Sequence, residues 1–323
     1  MAATILPFPR RNRMTASLPT GHETLVIAHR GASGYLPEHT LAGYAMAHAQ
    51  EADFLEPDLV LSRDGVPVAR HDLTLDETTD ARRRFPLRTR RDGKRYAIDF
   101  SHAELRQLRA RAPQPGRFGL DLDGLGVPSL KEIIGLTREL NRLTGRRVGL
   151  YPELKAPAFH AAQGQDLERI VLARLAAEGL LTADADVPVM LQCFDPAALR
   201  RLRLDLGCPL PLVQLIDDSP AMAHMVSPSG LDRIAAYADA IGICRHLLEG
   251  PGRRAREAHK LVAEAHARDL AVHVWTFRAD QDTDPAGTIQ RFAALHGVDG
   301  VFSDHPDLAK QALRALQGLR TGA

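Results

Sequence analysis

The sequence predicts an α/β fold, a (β/α)8 TIM-type barrel with an extra antiparallel β-hairpin strand and an inserted subdomain. Two observations carry this prediction: short apolar, β-branched runs recur along the chain, and amphipathic helical patterns separate most of them. Strands that are apolar on both faces and alternate with helices are typical of a parallel sheet. The strand-like runs are residues 25–28, 54–61, 66–69, 148–151, 189–193, 212–216, 240–243, 271–275 and 300–302.

The second and third of these runs account for the one strand more than an eight-stranded barrel needs. Only "SRDG", residues 62–65, separates them, whereas a parallel crossover needs about a dozen residues or more. They therefore form an antiparallel hairpin. If all of "SRDG" forms the loop, Leu61 faces Val66, and this register predicts that Glu56 lies opposite His71 on the same face.

The chain divides into a predicted flexible leader, a single barrel domain, and a subdomain inserted within the barrel. The leader covers residues 1–22, the barrel residues 23–318, and the insertion residues 73–127. A structureless loop as long as the insertion, about 55 residues, is rare inside a compact domain, so we expect structure in it, including one helix at "SHAELRQLRA". After the insertion, Ser129 and Glu132 predict a capping box that opens the next helix.

Composition excludes several classes of partner. The net charge is +1, so nucleic acid and anionic membranes are not expected partners. No apolar run approaches the roughly 18 residues of a spanning helix. Three widely spaced cysteines predict free thiols in a reducing compartment. The N-terminal stretch does not resemble a secretory signal, so we expect a cytoplasmic location, or a periplasmic one if the native start differs. The oligomeric state is left open.

Ionisable and polar residues stand where the barrel strands end, at the face where such barrels place their chemistry. Each strand is otherwise apolar, so four separate strand ends with such groups are a coincidence that favours a site. The strand-end residues are His29, Arg30, Glu153, Lys155, Gln192, Trp275 and Asp304.

The second strand carries two carboxylates, Glu56 and Asp58, at positions that share one face of a strand. Buried and unpaired, they would be costly, and Glu153 adds a third oxygen donor from a nearby strand. An all-carboxylate set suits a hard cation rather than zinc. The sequence therefore predicts one divalent cation, Ca²⁺ or Mg²⁺, held by these three residues.

Two histidines flank this predicted metal site, His29 on the first strand and His71 on the hairpin. They would serve as general acid and general base, although the sequence leaves open which is the base. Arg30 and Lys155 supply fixed positive charge for an anionic group. Together these groups favour metal-assisted displacement at phosphorus. Gln192 and Trp275 are added as candidate substrate- or phosphate-binding residues.

Each of these residues taken alone also has an ordinary structural explanation. His29 could be a satisfied core histidine, and His71 with Asp72 could form a turn. Glu56 and Asp58 could pair with arginines. Asp304 is interpreted as a helix N-cap. No role is assigned to His22, His39, His48, His102, His160, His266 and His273.

Four stretches resemble the glycerophosphodiester phosphodiesterase family, and are most similar to its bacterial periplasmic-type members: "HRGASGYLPEHT", "FLEPDLVLSRDGVPVARHD", "GLYPELKAP" and "LQCFD". The resemblance extends over about residues 25 to 315 and includes "FPLRTRRDGKRYAIDF" in the insertion. It implies a (β/α)8 barrel with one divalent ion, often Ca²⁺ or Mg²⁺, and a small-molecule glycerophosphodiester substrate.

The resemblance also assigns roles residue by residue. It implies that His29 and His71 are the acid and base, and that Arg30 and Lys155 line the phosphate pocket. The metal ligands would be Glu56, Asp58 and Glu153. Substrates such as glycerophosphocholine or glycerophosphoethanolamine would yield sn-glycerol 3-phosphate and an alcohol. The free glycerol hydroxyl would attack phosphorus first, giving a cyclic phosphate that water then opens.

Two alternatives remain at this point. A phospholipase D-like lyase of the same fold would stop at the cyclic phosphate, acting on lysophospholipids. A non-catalytic protein would bind glycerophosphodiesters without turnover. The unpaired cysteines and missing signal argue against the first, and the paired histidines against the second.

Overall fold

The computed structural model describes residues 24–112, 124–249 and 253–321, without the side chains of residues 253–258 and 319–321. The predicted leader, residues 1–22, lies outside these residues, as does the stretch 113–123 of the predicted insertion.

Strands and helices alternate along most of the described chain. The strands are β1 (Leu25–His29), β2 (Phe54–Glu56), β3 (Asp58–Leu61), β4 (Pro67–Ala69), β5 (Gly149–Leu150), β6 (Glu153–Leu154), β7 (Leu191–Cys193), β8 (Leu212–Ile216), β9 (Ala240–Cys244), β10 (Ala271–Phe277) and β11 (Gly300–Ser303). The helices are α1 (Leu41–Ala49), α2 (Ala81–Arg84), α3 (His102–Leu105), α4 (Leu130–Thr144), α5 (Pro157–Ala162), α6 (Leu167–Ala177), α7 (Pro196–Leu204), α8 (Pro228–Ala235), α9 (Arg253–His266), α10 (Pro285–Arg291) and α11 (Pro306–Thr321).

Parallel pairing closes these strands into the predicted barrel. β2 and β3 are two halves of one barrel strand, as are β5 and β6. β2 pairs with β5, while β3 pairs with β6, and the ladder then runs through β7, β8, β9 and β10 to β11. β11 pairs with β1, which pairs with β2, so eight strands form a closed cycle. The (β/α)8 fold is confirmed, and β4 is the extra antiparallel strand.

The second barrel strand is interrupted at Pro57, which has no N–H to donate to a ladder. The Pro57 carbonyl nevertheless accepts a hydrogen bond from the Glu153 N–H at 2.9 Å. The second barrel strand therefore stays hydrogen-bonded to the third barrel strand across the interruption. The interruption lies between Glu56 and Asp58. It places the two carboxylates on separate short strands where the sequence predicts one continuous run.

The predicted register of the hairpin is wrong by one residue. Leu61 pairs with Pro67 and Leu59 with Ala69. Ser62 belongs to the ladder rather than to the loop, because its N–H donates to the Val66 carbonyl at 3.0 Å. This leaves a three-residue loop, 63–65, whose last residue is a glycine with a φ of 72°, a common hairpin geometry.

This register has a direct consequence for one predicted site residue. Continued along the ribbon, it places His71 opposite Pro57 instead of opposite Glu56. The paired residues end at Leu59 and Ala69, and one further bond runs from the Arg70 N–H to the Asp58 carbonyl at 2.9 Å. The predicted cross-strand pair of Glu56 and His71 is therefore absent.

Side chains from several strands fill the barrel interior below its mouth. They are Ile27, Tyr151, Met190, Val213, Ala240 and Phe302. A larger apolar layer lies between the strands and the surrounding helices. The three cysteines are buried and free. None of the described helices is both long and apolar enough to cross a membrane.

The described part of the predicted insertion packs on the hairpin through its own apolar cluster. This cluster includes Val60 and Val68 from the hairpin together with Leu75, Phe100 and Leu105. The helix predicted at "SHAELRQLRA" is short and covers only α3, which a Ser101–Glu104 capping box opens. The predicted capping box of Ser129 and Glu132 is confirmed at the start of α4. The boundaries of an inserted subdomain stay a prediction.

Candidate active site

A tight turn after β1 brings the first predicted residues to the barrel mouth. Arg30 adopts a φ of 58° and Gly31 a φ of 85°. A Cβ on Gly31 would lie 2.9 Å from the Gly43 carbonyl carbon, so the turn requires glycine on both counts. The turn aims the Arg30 N–H at Glu56 Oε2, at 2.8 Å.

His29, at the end of β1, is held by a carboxylate from the opposite end of the chain. Its Nδ1 lies 2.7 Å from Asp304 Oδ1. Burial, reinforced by the charge of Arg30, lowers the pKa of His29 to about 4. A neutral imidazole that donates Nδ1–H to Asp304 keeps its lone pair on Nε2. In this arrangement Nε2 is the His29 nitrogen with a lone pair available to accept a proton.

His71, the second predicted histidine, lies after the hairpin and is more exposed, with 36% of its side chain accessible. Its Nδ1 is 2.8 Å from Oδ1 of the adjacent Asp72. The bond from His71 is the largest cause of a lowered pKa at Asp72, and the charge of Arg30 contributes to it. The same charge acts on His29, so Arg30 connects the surroundings of the two histidines electrostatically.

The three predicted carboxylates converge as the sequence analysis expects. Glu56, Asp58 and Glu153 each offer an oxygen within 4.8 Å of the others, and all three are buried. Asp58 and Glu153 are direct neighbours in register between β3 and β6. The Pro57 interruption therefore does not separate the carboxylates.

The pKa values of these three carboxylates are shifted in different directions. Burial and the neighbouring negative charges raise the pKa of Glu56 well above its usual range and that of Glu153 to about 8. Burial also opposes ionisation of Asp58. The charge of Lys155, with a bond from His39, outweighs it and holds the pKa of Asp58 well below its usual range. The surroundings therefore favour the ionised form of Asp58 and disfavour the ionised forms of Glu56 and Glu153.

Arg30 and Lys155 supply the positive side of the cluster. Lys155 Nζ lies 2.8 Å from Glu153 Oε1 and 3.7 Å from Asp58 Oδ1. Arg30 Nε lies 3.3 Å from Asp58 Oδ2, while its Nη1 donates to Glu38 Oε2 at 2.8 Å. Both predicted cationic residues therefore stand at the carboxylates, where an anionic phosphate would meet them.

His39 is a site residue that the sequence analysis misses. Its Nε2 lies 2.9 Å from Asp58 Oδ2, and its Nδ1 lies 2.8 Å from the Tyr44 hydroxyl. Burial lowers the pKa of His39, so a neutral ring donates to Asp58 and accepts from Tyr44. The only available signal is its position in "PEHT", since His39 precedes the Thr40 cap of α1 and belongs to no strand end.

Gln192 and Trp275, the two added candidates, also reach this region. Gln192 Nε2 donates to Glu56 Oε1 at 3.1 Å. Trp275 lies further out, where its Nε1 donates to the Gly242 carbonyl at 3.0 Å. Its ring packs edge-on against Phe194 at 5.7 Å, and Lys155 Nζ lies 5.9 Å from the Phe194 ring. Trp275 and Phe194 thus form an aromatic wall beside the lysine.

The donor chemistry of the cluster fits a hard divalent cation. Three buried carboxylates from adjacent strands offer only oxygen, which is the preference of Ca²⁺ and Mg²⁺. Gln192 Oε1 is a further buried oxygen, and it has no hydrogen-bond partner within the described ranges of the chain. The raised pKa values of Glu56 and Glu153 indicate a surplus of negative charge that a cation would relieve.

Comparison with known proteins connects this site to a family. The family model described as "Glycerophosphoryl diester phosphodiesterase family" matches residues 29–308. A curated protein of Haemophilus influenzae, named glycerophosphodiester phosphodiesterase, is 33% identical over 91% of this chain and 91% of its own length. One of Treponema pallidum with the same name is 32% identical over 90% of this chain and 92% of its own.

Solved structures support the same barrel. One from Silicibacter pomeroyi DSS-3 aligns with a TM-score of 0.73 at 25% identity, covering 94% of this chain and 98% of that one. An Oleispira antarctica phosphodiesterase, solved in complex with the product sn-glycerol-3-phosphate, aligns with a TM-score of 0.65 at 23% identity. It covers 90% of this chain and 97% of its own, and this likeness is one of fold.

Proposed function

The chain belongs to the glycerophosphoryl diester phosphodiesterase family and is an enzyme with that activity, and we propose that it works with one divalent cation and two histidines. The observation that carries the proposal is the convergence of Glu56, Asp58 and Glu153 beside a carboxylate-held, neutral His29. Substrates would be glycerophosphodiesters such as glycerophosphocholine and glycerophosphoethanolamine. Products would be sn-glycerol 3-phosphate and the free alcohol.

The carboxylates Glu56, Asp58 and Glu153 would hold the cation, Ca²⁺ or Mg²⁺. When bound, it would supply positive charge that stabilises the negative charge developing on the phosphoryl oxygens. Arg30 and Lys155 would orient the phosphodiester by charge-assisted hydrogen bonds from the same side. The ion pairs that Arg30 and Lys155 make with the carboxylates would hold these two side chains in place before substrate arrives.

His29 would act first as the base. Its Nε2 would take the proton of the free glycerol hydroxyl, whose oxygen attacks phosphorus to close a cyclic phosphate. His71 would give a proton to the departing alcohol oxygen as its bond to phosphorus breaks. In the second step water opens the ring, and the two histidines exchange roles. The low pKa of His29 supports this assignment, because a base must be unprotonated at neutral pH.

Turnover of glycerophosphocholine tests the metal and the product. We expect linear glycerol 3-phosphate by phosphorus NMR, loss of the rate after chelation, and recovery with Ca²⁺ or Mg²⁺. Glu56→Gln should lower kcat/KM by about 100-fold or more, since the cation contributes several kcal/mol. The exposed Glu77→Gln is the matched control.

Three outcomes would count against parts of the proposal. A full rate after thorough chelation would refute the metal requirement. A cyclic phosphate that accumulates as the final product would favour the lyase alternative. Tight binding of intact glycerophosphocholine by metal-loaded protein without turnover would indicate a binding protein.

A further inference from the structure

A second cluster of ligating side chains lies at the barrel mouth, apart from the three carboxylates. Cys244 is the last residue of β9, and His246 follows it by two positions. Asp218 lies just beyond the end of β8. Their ligand atoms all lie within 4.8 Å of one another. Cys244 is buried, while His246 and Asp218 are exposed, so the cluster is accessible from solvent.

The spacing of these atoms matches a tetrahedral metal shell. His246 Nδ1 lies 3.6 Å from Cys244 Sγ and 3.5 Å from Asp218 Oδ2. A zinc ion with ordinary bonds of about 2.3 Å to sulfur and about 2.0 Å to nitrogen or oxygen separates neighbouring ligands by roughly 3.3 to 3.5 Å. One ion can therefore contact all three atoms with little movement of the side chains.

The ligand types select the class of cation. A thiol, an imidazole and a carboxylate suit zinc and similar borderline metals, whereas Ca²⁺ and Mg²⁺ prefer oxygen alone. The two clusters at the mouth thus differ in chemistry. The second would take a thiophilic ion that the carboxylate site does not favour.

The other ring nitrogen of His246 also faces a carboxylate. His246 Nε2 lies 3.9 Å from Glu249 Oε2, and Glu249 is held at 2.6 Å by Arg245 Nε. Metal-bound histidines commonly direct their second nitrogen to a carboxylate, which fixes the ring and its tautomer. Glu249 is the carboxylate on this side of the ring, although 3.9 Å is longer than a hydrogen bond.

We propose that Asp218, Cys244 and His246 form a binding site for zinc or a similar thiophilic divalent cation. The ion would tie the loop after β8 to the loop after β9. Cys244 is paired in register with Trp275, so the tie would lie beside the aromatic wall of the candidate active site. The site is independent of the proposed function, and its test does not use turnover.

Cobalt titration of the chelated protein tests this site directly. Co²⁺ bound to a thiolate in a tetrahedral shell gives a charge-transfer absorption, which Zn²⁺ should abolish by displacement. We expect this signal in the wild type, in Cys208→Ser, and in Asp58→Asn, which disables the carboxylate site. Cys244→Ser should lack the signal and bind Zn²⁺ about 100-fold more weakly or worse.

A second variant and a stability readout complete the test. His246→Gln changes an exposed side chain and should also weaken Zn²⁺ binding by about 10-fold or more. Zn²⁺ should raise the Tm of wild type and of Cys208→Ser by linkage, and leave that of Cys244→Ser unchanged. Absence of the thiolate signal in the wild type, or an equal Zn²⁺ affinity in Cys244→Ser, would overturn the proposal.

Discussion

The two histidine–carboxylate pairs at the barrel mouth make the same type of contact, but they differ in solvent exposure and in the distance along the chain between their members. In each pair the histidine Nδ1 faces a carboxylate, at 2.7 Å for His29 with Asp304 and 2.8 Å for His71 with Asp72. The first pair joins opposite ends of the chain and is largely enclosed, with 13% of the His29 side chain exposed. The second joins neighbours in sequence and is more than one-third exposed.

This difference suggests how one residue type can serve two roles. Burial makes the protonated form of His29 costly and lowers its pKa to about 4, so the ring is unprotonated at neutral pH, as a base must be at the start of the reaction. His71 lies where solvent reaches its ring, and the acid role is proposed for it. The surroundings, more than the contact to the carboxylate, distinguish the two rings.

Among the tests of this comparison, replacing His29 should give the largest loss of kcat. His29→Gln is expected to lower kcat about 10²- to 10⁴-fold, the usual contribution of a general base. Steady-state turnover of glycerophosphocholine measures it, and the exposed His224→Gln is the matched control. Loss of the fold in His29→Gln, seen as a large drop in Tm, would instead favour a structural histidine.

Replacing His71 should have a similar effect on natural substrates, but one that depends on the leaving group. His71→Gln is expected to recover most of its rate with a nitrophenyl glycerophosphodiester, because that leaving group needs no proton. His29→Gln should recover little with the same substrate. The reverse pattern in the two variants would exchange the acid and the base.

Replacing the carboxylate of each pair should lower kcat by different amounts. Asp304→Asn is expected to lower kcat about 10-fold or more, because the His29 ring loses the carboxylate that orients it through Nδ1. Asp72→Asn should cost less, since water can replace a partner at an exposed ring. We would measure kcat and KM for both variants, and equal losses would contradict the role of burial.

The smallest expected effect is on stability as a function of pH. Folding lowers the pKa of His29 from 6.5 to about 4, so the unfolded chain binds more protons between these values. The stability linked to His29 is therefore complete above about pH 6.5 and is lost as the pH falls toward 4. Urea denaturation of chelated His29→Gln should lose about 2 kcal/mol less than wild type between about pH 7 and pH 5.

The pH dependence of stability that is linked to Glu153 has the opposite sign to that linked to His29. Its pKa rises from 4.5 to about 8 on folding, because burial and the charge of Asp58 disfavour the carboxylate. The stability linked to this proton is present below about pH 4.5 and is lost as the pH rises through 8. Added Ca²⁺ or Mg²⁺ should stabilise wild type more at high pH than at low pH, and Glu153→Gln should weaken this dependence.

Much of the candidate site could be predicted because its residues end barrel strands. His29, Arg30, Glu153, Lys155 and Gln192 interrupt or follow apolar runs, and parallel strands bring such ends to one face. Glu38 and His39 escaped prediction because they lie in a loop and do not share this signal. Asp304 does end a strand, but its sequence context led to its interpretation as a helix N-cap.

The sequence by itself determined the barrel, the hairpin and the three carboxylates, because these follow from periodicity and from charge within apolar runs. Only the tertiary structure decided the hairpin register, since one residue joining the ladder at Ser62 shifts every later pair. It also decided that the pKa of Asp58 is lowered while those of Glu56 and Glu153 are raised, because Lys155, His39 and Arg30 reach Asp58 from separate elements. Such couplings depend on distances in space, and distances in the sequence do not contain them.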